Sequence, residues 1–141
     1  MAQRTARARW QGDLFGGKGT VSAASSGLFR DAPVSWPART EVPAGLTSPE
    51  ELIAAAHASC FAMALSNELA SRGHPPADLA IEAACFFEGG KVTKVALDVT
   101  ATIPGAKIED FQEGLAAAEA SCPVSNALRG NVEIAVAGRL G

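Results

Sequence analysis

Cysteine is scarce in this chain. Three cysteines in 141 residues is an odd number and too few for a disulfide framework. In a reducing compartment, a disulfide between two of them would be transient and catalytic, not structural. Long hydrophobic stretches are also missing. The apolar run from Leu52 to Leu65 falls short of the roughly 20 residues that cross a bilayer, and Glu50, Glu51, Asn67 and Glu68 bound it. The first ten residues lack the apolar segment of a secretory leader. Positive charge is sparse as well: the net charge is −3, and the basic residues cluster only at Arg4, Arg7 and Arg9. Those three alternate with small residues and read as a solvated strand face or a frayed end. This balance argues against nucleic-acid or membrane partners. No repeat, linker or low-complexity stretch divides the chain. A soluble, cytoplasmic protein with one domain over residues 1–141 is expected.

The remaining composition is 48% hydrophobic, enough for a chain of this size to bury a core without staples. Residues 4–10 and 18–24 read as strands around a turn at Gly12, Gly16 and Gly17. Pro33, Pro37, Pro43 and Gly45 predict an extended, irregular segment over 28–47, with at most one short strand near 34–40. A helix then starts clearly. Ser48 suits the N-cap, Pro49 the first helical position, and Glu51 completes a capping box with Ser48. It runs to Arg72, where Gly73 and Pro75-Pro76 stop it. A hairpin follows. Leu79, Ile81, Ala83, Cys85 and Phe87 share one face, Gly89-Gly90 make the turn, and Val95 to Ile103 alternate on the return strand. Residues 107–120 read as a helix, Cys122-Pro123 opens a short one ending near Leu128, and Val132, Ile134 and Val136 form a last strand. This order gives an α+β domain. The long helix is apolar or small on nearly every side between Leu52 and Leu65. A helix of that kind must be covered all round, which predicts a homodimer with this helix near the interface.

Two cysteines lie in settings that suit thiol chemistry. Cys122 precedes Pro123 at a helix start, where the helix N-terminus favours thiolate. Cysteine is also a poor choice for a purely structural cap. Cys60 lies mid-helix, gains nothing from the helix dipole, and needs a nearby cation: His57 one turn back, or an arginine from elsewhere. Judged from the residues alone, core packing is the commoner role for Cys60, and Cys122 is the more acidic thiol. Cys85 follows the strand pattern and reads as core. His57 could pair with Cys60 as a nucleophile and base, or join Cys60 and Cys122 on zinc. Three ligands without a recognised spacing make the zinc reading weak. The residue pattern favours a His57 turned toward polar neighbours and a solvated His74. Arg39 stands eleven residues before Glu50. An arginine held by a carboxylate could stabilise a thiolate, although a solvated loop arginine is the commoner situation.

The chain resembles the OsmC/Ohr family of osmotically inducible and organic-hydroperoxide-resistance proteins. The resemblance rests on Ser48-Pro49-Glu50-Glu51-Leu52, on Ala54 to Leu65 around Cys60, and on Ser121-Cys122-Pro123-Val124-Ser125-Asn126-Ala127-Leu128. Trp10-Gln11-Gly12-Asp13-Leu14 and Gly17-Lys18-Gly19-Thr20 add to it, so it covers essentially the whole chain. Within the family, His57-Ala58 and Ser125 to Leu128 lean toward the OsmC branch. Ser48 stands where the family usually has Asn, and both cap helices well. The resemblance implies antiparallel sheets around a long central helix in an intertwined homodimer. It implies a metal-free thiol peroxidase with no cofactor, reducing organic hydroperoxides and, less readily, hydrogen peroxide. It assigns Cys60 as the attacking thiol, Cys122 as the resolving thiol, and Arg39 with Glu50 as the activating pair. An external dithiol (a lipoyl protein, a thioredoxin-like protein or a small thiol) would close the cycle. The alternative is a carrier of the same fold that binds small molecules in an apolar interface pocket without turnover. A cysteine hydrolase would further require His57 to be oriented by a carboxylate.

Overall fold

The computed structural model describes all residues from Met1 to Gly141. Two compact units divide them, residues 1–52 and 53–141.

The first unit holds a three-stranded antiparallel sheet of β1 (Ala6–Gln11), β2 (Lys18–Ala23) and β3 (Ala32–Val34), in that order. Gly19 lies where a Cβ would sit 2.5 Å from the Trp10 ring, so only glycine admits that indole. The segment expected to be extended near 34–40 instead contains a helical turn, α1 (Trp36–Thr40). The Ser35 hydroxyl accepts the N–H of Ala38 at 3.2 Å, and Pro37 sits in the first turn, where no backbone donor is needed. Pro37, one of the prolines that suggested an irregular chain, therefore starts a helix, while Pro33 lies in β3.

Helix α2 (Pro49–Ser71) starts as the sequence predicts. Ser48 Oγ accepts the Glu51 N–H at 3.1 Å. The reciprocal half of the expected capping box is replaced, because the Glu51 carboxylate takes the Thr47 hydroxyl at 2.6 Å. At 23 residues, with a mean hydropathy of 1.2 over its most apolar stretch, α2 meets the length and composition of a membrane span, contrary to the shorter run read from sequence. It commits its Phe61, Leu65 and Leu69 row to the protein core instead.

The second unit is a three-stranded sheet ordered β4 (Asp78–Glu88), β5 (Lys91–Thr102), β6 (Glu133–Leu140). The β4–β5 hairpin is antiparallel, but β6 runs parallel to β5, which corrects the expectation of purely antiparallel sheets. The chain between them passes through α3 (Ile108–Ser121) and α4 (Pro123–Leu128), a crossover long enough to bring it back in the same direction. The core of this unit joins Phe61, Leu65 and Leu69 of α2 to Val95, Leu97, Val99 and Ala101 of β5 and Phe111 and Ala118 of α3. Gly114 of α3 meets α2 so closely that a Cβ there would lie 2.6 Å from Leu69 Cδ2.

Candidate active site

The four residues singled out from the sequence are brought together as two pairs. The first pair is ionic. Arg39, in the last turn of α1, donates from Nε to both oxygens of Glu50, at 3.0 and 3.1 Å, and from Nη2 to Oε1 at 2.7 Å. A fork of this kind fixes the guanidinium plane as well as its position. The carboxylate is 8% exposed and the arginine side chain 28%, so Arg39 is held in place but keeps an accessible side. The Trp36 ring lies 5.8 Å from the guanidinium carbon and adds a cation–π contact. Arg39 is therefore not the solvated loop arginine that its local sequence favoured. It borders an open groove of about 340 Å³ whose other walls include Trp10, Leu14, Val34 and Trp36. Arg7 and Arg9, read as a solvated strand face, line a different concavity of about 350 Å³ with Arg30.

The second pair is thiolic. Cys60 of α2 and Cys122, the N-cap of α4, are close enough to perturb each other's ionisation, and both are free thiols. Cys122 is completely buried, whereas Cys60 keeps partial exposure. The Ser125 N–H donates to Cys122 Sγ at 3.5 Å. Burial pushes the Cys122 thiol up, but this donor, the Ser125 hydroxyl and the neighbouring Cys60 thiol outweigh it, and the net displacement is downward. Burial pushes the Cys60 thiol up, and the Val124 N–H offsets only part of this. Within this unit Cys122 is thus the more acidic thiol, as its place at a helix start predicts. Cys85 is half-buried against the core, as the strand pattern indicated.

His57 departs from its expected polar setting. Its ring is fully buried, with Nε2 2.7 Å from the hydroxyl of the equally buried Ser125 and Nδ1 without a partner. Burial lowers its pKa, and Glu119 opposes this only in part. A signal for burial was present in the sequence: His57 continues the i, i+4 row of Phe61, Leu65 and Leu69. Ser125 was read only as part of the family motif and given no site role, although it stands three residues beyond the Cys122 cap, where a cap acceptor finds its donor. The His57–Ser125 contact has the length of a nucleophile–base pair, yet no carboxylate holds Nδ1 and no solvent reaches Ser125. Hydrolase chemistry therefore lacks both its orienting acid and its access. No group of three or more His, Cys, Asp or Glu side chains is arranged to hold a metal ion. His74, expected to be solvated, lies 3.5 Å from Asp110 and is about a quarter exposed.

The sequence model described as "OsmC-like protein" matches residues 43–137. The chain is 39% identical over 132 residues to the protein named peroxiredoxin OsmC of Escherichia coli (strain K12), covering 91% of both chains. Among solved structures it resembles an organic hydroperoxide resistance protein OsmC from Legionella pneumophila, with a TM-score of 0.68 and 26% identity, covering 98% of each chain. It also resembles the organic hydroperoxide resistance protein OhrB of Bacillus subtilis, with a TM-score of 0.67 and 26% identity, covering 96% of this chain and 98% of that one. Both cysteine motifs fall inside the matched segment, and the chain belongs to the OsmC-like protein family.

Proposed function

We propose that this protein is a thiol-dependent peroxidase that reduces organic hydroperoxides to alcohols through a Cys60–Cys122 disulfide. The observation that carries this reading is the contact between two thiols of unequal access. A hydroperoxide can reach the partly exposed Cys60 but not the buried Cys122. This difference in access supports Cys60 as the attacking thiol, even though Cys122 is the more acidic one. The names of its relatives, peroxiredoxin and organic hydroperoxide resistance protein, support the same chemistry.

In the first step the Cys60 thiolate attacks the peroxide oxygen distal to the organic group. The O–O bond breaks, the alkoxide takes a proton and leaves as alcohol, and Cys60 becomes a sulfenic acid. The family resemblance assigns Arg39 as the cation that Cys60 lacks locally; a guanidinium stabilises a thiolate and a leaving oxygen without losing its proton. Glu50 fixes its orientation. In the second step the Cys122 thiolate attacks the Cys60 sulfur and expels hydroxide, which leaves as water. An external dithiol then reduces the disulfide by exchange. The apolar walls of the groove beside Arg39 suit the organic part of the peroxide, which hydrogen peroxide lacks.

The working form is a homodimer. In the single chain Ala55, Ala56 and Ser59 of α2 are exposed, and Met63 is 73% exposed. A second copy would cover this apolar face. Light scattering should give twice the 14.4 kDa chain mass, and a stable monomer would remove the dimer.

Turnover of cumene or tert-butyl hydroperoxide with dithiothreitol tests the activity. The parent should consume both faster than hydrogen peroxide. A parent that binds these compounds without consuming them would instead be a carrier.

A further inference from the structure

The buried His57–Ser125 contact has no part in the steps above, and its geometry gives it one. His57 Nδ1 is enclosed with no partner, while Nε2 lies 2.7 Å from Ser125 Oγ. A proton on Nδ1 would leave a buried N–H with no acceptor, the rarer and costlier defect. A proton on Nε2 leaves only a bare lone pair there and makes the ring a donor to Ser125 Oγ. That hydroxyl must then turn its own proton elsewhere, and Cys122 Sγ, within 3.5 Å of the same residue's backbone nitrogen, is an acceptor close by. The Ser125 N–H already points at the same sulfur at 3.5 Å, and the Cys60 thiol approaches it from α2. The Ser125 residue thus stands between His57 and Cys122, touching both. Other ionisable groups nearby are few: Glu119 of α3, paired with Arg129 at 2.6 Å, and Cys85 of β4 at the edge of the same core.

We propose that His57 is a positioning residue that, through Ser125, locks a hydroxyl proton onto the Cys122 sulfur and so holds Cys122 ready as the thiolate that closes the disulfide. This inference rests on the peroxidase reading and deepens it. The closing step, Cys122–S⁻ plus Cys60–SOH giving the disulfide and hydroxide, needs an ionised Cys122 in a place solvent does not reach. A donor chain built into the protein does there what water does for an exposed thiolate. Burial disfavours the charged imidazole, so the chain works through dipoles and not through a charge of its own.

The test uses Ser125→Ala, His57→Leu and His57→Gln in the full-length protein with Cys85→Ser. Glutamine keeps an N–H donor near the place of Nε2. After one equivalent of tert-butyl hydroperoxide, quenched labelling separates sulfenic acid formation from disulfide closure. Closure should slow about tenfold in Ser125→Ala and His57→Leu, the effect of losing one hydrogen bond to a charged group. Formation of the sulfenic acid should keep its parental rate, and His57→Gln should close within about threefold of the parent. Unchanged closure, or equal slowing of both steps, would overturn the inference. Thiolate absorbance against pH in a Cys60→Ser, Cys85→Ser background gives a second readout that needs no peroxidase activity. There Ser125→Ala should move the Cys122 titration up by about one pH unit, and an unmoved titration overturns the inference. A parent that never oxidises removes the peroxidase reading instead and leaves the titration to decide this one.

Discussion

The residues before Ile53 and those from it onward hold their shape by different means. Of the 13 hydrophobic side chains that are buried, only Ala38 lies in the first unit. There β1 is exposed along all six residues, and the best-fixed side chains are the Arg39–Glu50 fork and the Trp36 ring beside it. The second unit is built on an aliphatic and aromatic core that also encloses Cys122, Ser125 and His57. The contrast explains where each chemical group is kept. A guanidinium needs partial exposure and a carboxylate, and the polar unit offers both. A buried thiol at a helix start needs fixed donors, and the core unit offers Cys122 the Ser125 N–H.

Substitutions should separate the two units by the kind of damage they cause. The largest effect belongs to the thiol. Cys60→Ser should lower hydroperoxide turnover by at least about 100-fold, because a serine hydroxyl at its ordinary acidity is a weak nucleophile. Retained turnover in a coupled dithiothreitol assay would sink the mechanism. Next comes the core. Phe61→Ala should cost about 3–5 kcal/mol in urea unfolding, since the ring is fully buried between α2 and the sheet. Loss in the polar unit should be milder for stability and sharper for chemistry. Arg39→Ala leaves the Glu50 carboxylate without its partner, and the cost should be about 1–2 kcal/mol, discounted because the arginine is 28% exposed. Its Cys60 alkylation profile should shift to higher pH, while Arg39→Lys, which cannot form the fork, should recover only part of the difference. An alkylation profile that Arg39→Ala leaves unmoved would detach the ion pair from the thiol.

The smallest expected effect is a dependence on pH. His57 is held below its ordinary value of 6.5 by burial. Between that lowered value and 6.5 the unfolded chain binds the extra proton and the folded chain does not. Stability from this group is therefore complete above about pH 6.5 and lost as the pH falls through the folded value. Urea midpoints at intervals below neutral pH should decline more steeply for the parent than for His57→Gln. Parallel declines would place the titration elsewhere.

Much of this was legible in the sequence, and the gaps have physical causes. The Ser48-Pro49 and Cys122-Pro123 helix starts could be read because a cap is a local interaction between neighbours in the chain. The alternation in β4 and β5 was equally plain, as each strand turns one side to the core. Alternation carries no direction, however, so the parallel pairing of β6 with β5 stayed hidden even with both intervening helices expected. Helix α1 was missed because Pro33, Pro37 and Pro43 suggested an extended chain, although Ser35 and Pro37 together are a helix start. His57 was misread because its deciding partner, Ser125, is 68 residues away. The Arg39–Glu50 fork could be raised from the residues but not preferred, since nothing local in Pro37 to Glu41 points to a carboxylate eleven residues on.

The central claim is that Cys60 and Cys122 work as one redox pair. Its most direct measurement is the intact mass and peptide map of the reduced protein after one equivalent of cumene hydroperoxide. The account predicts a loss of about 2 Da, the two thiol hydrogens removed in disulfide formation, with the Cys60 and Cys122 peptides linked and Cys85 still alkylatable. An unchanged mass, or oxygen added to Cys122 while Cys60 stays a free thiol, would contradict it.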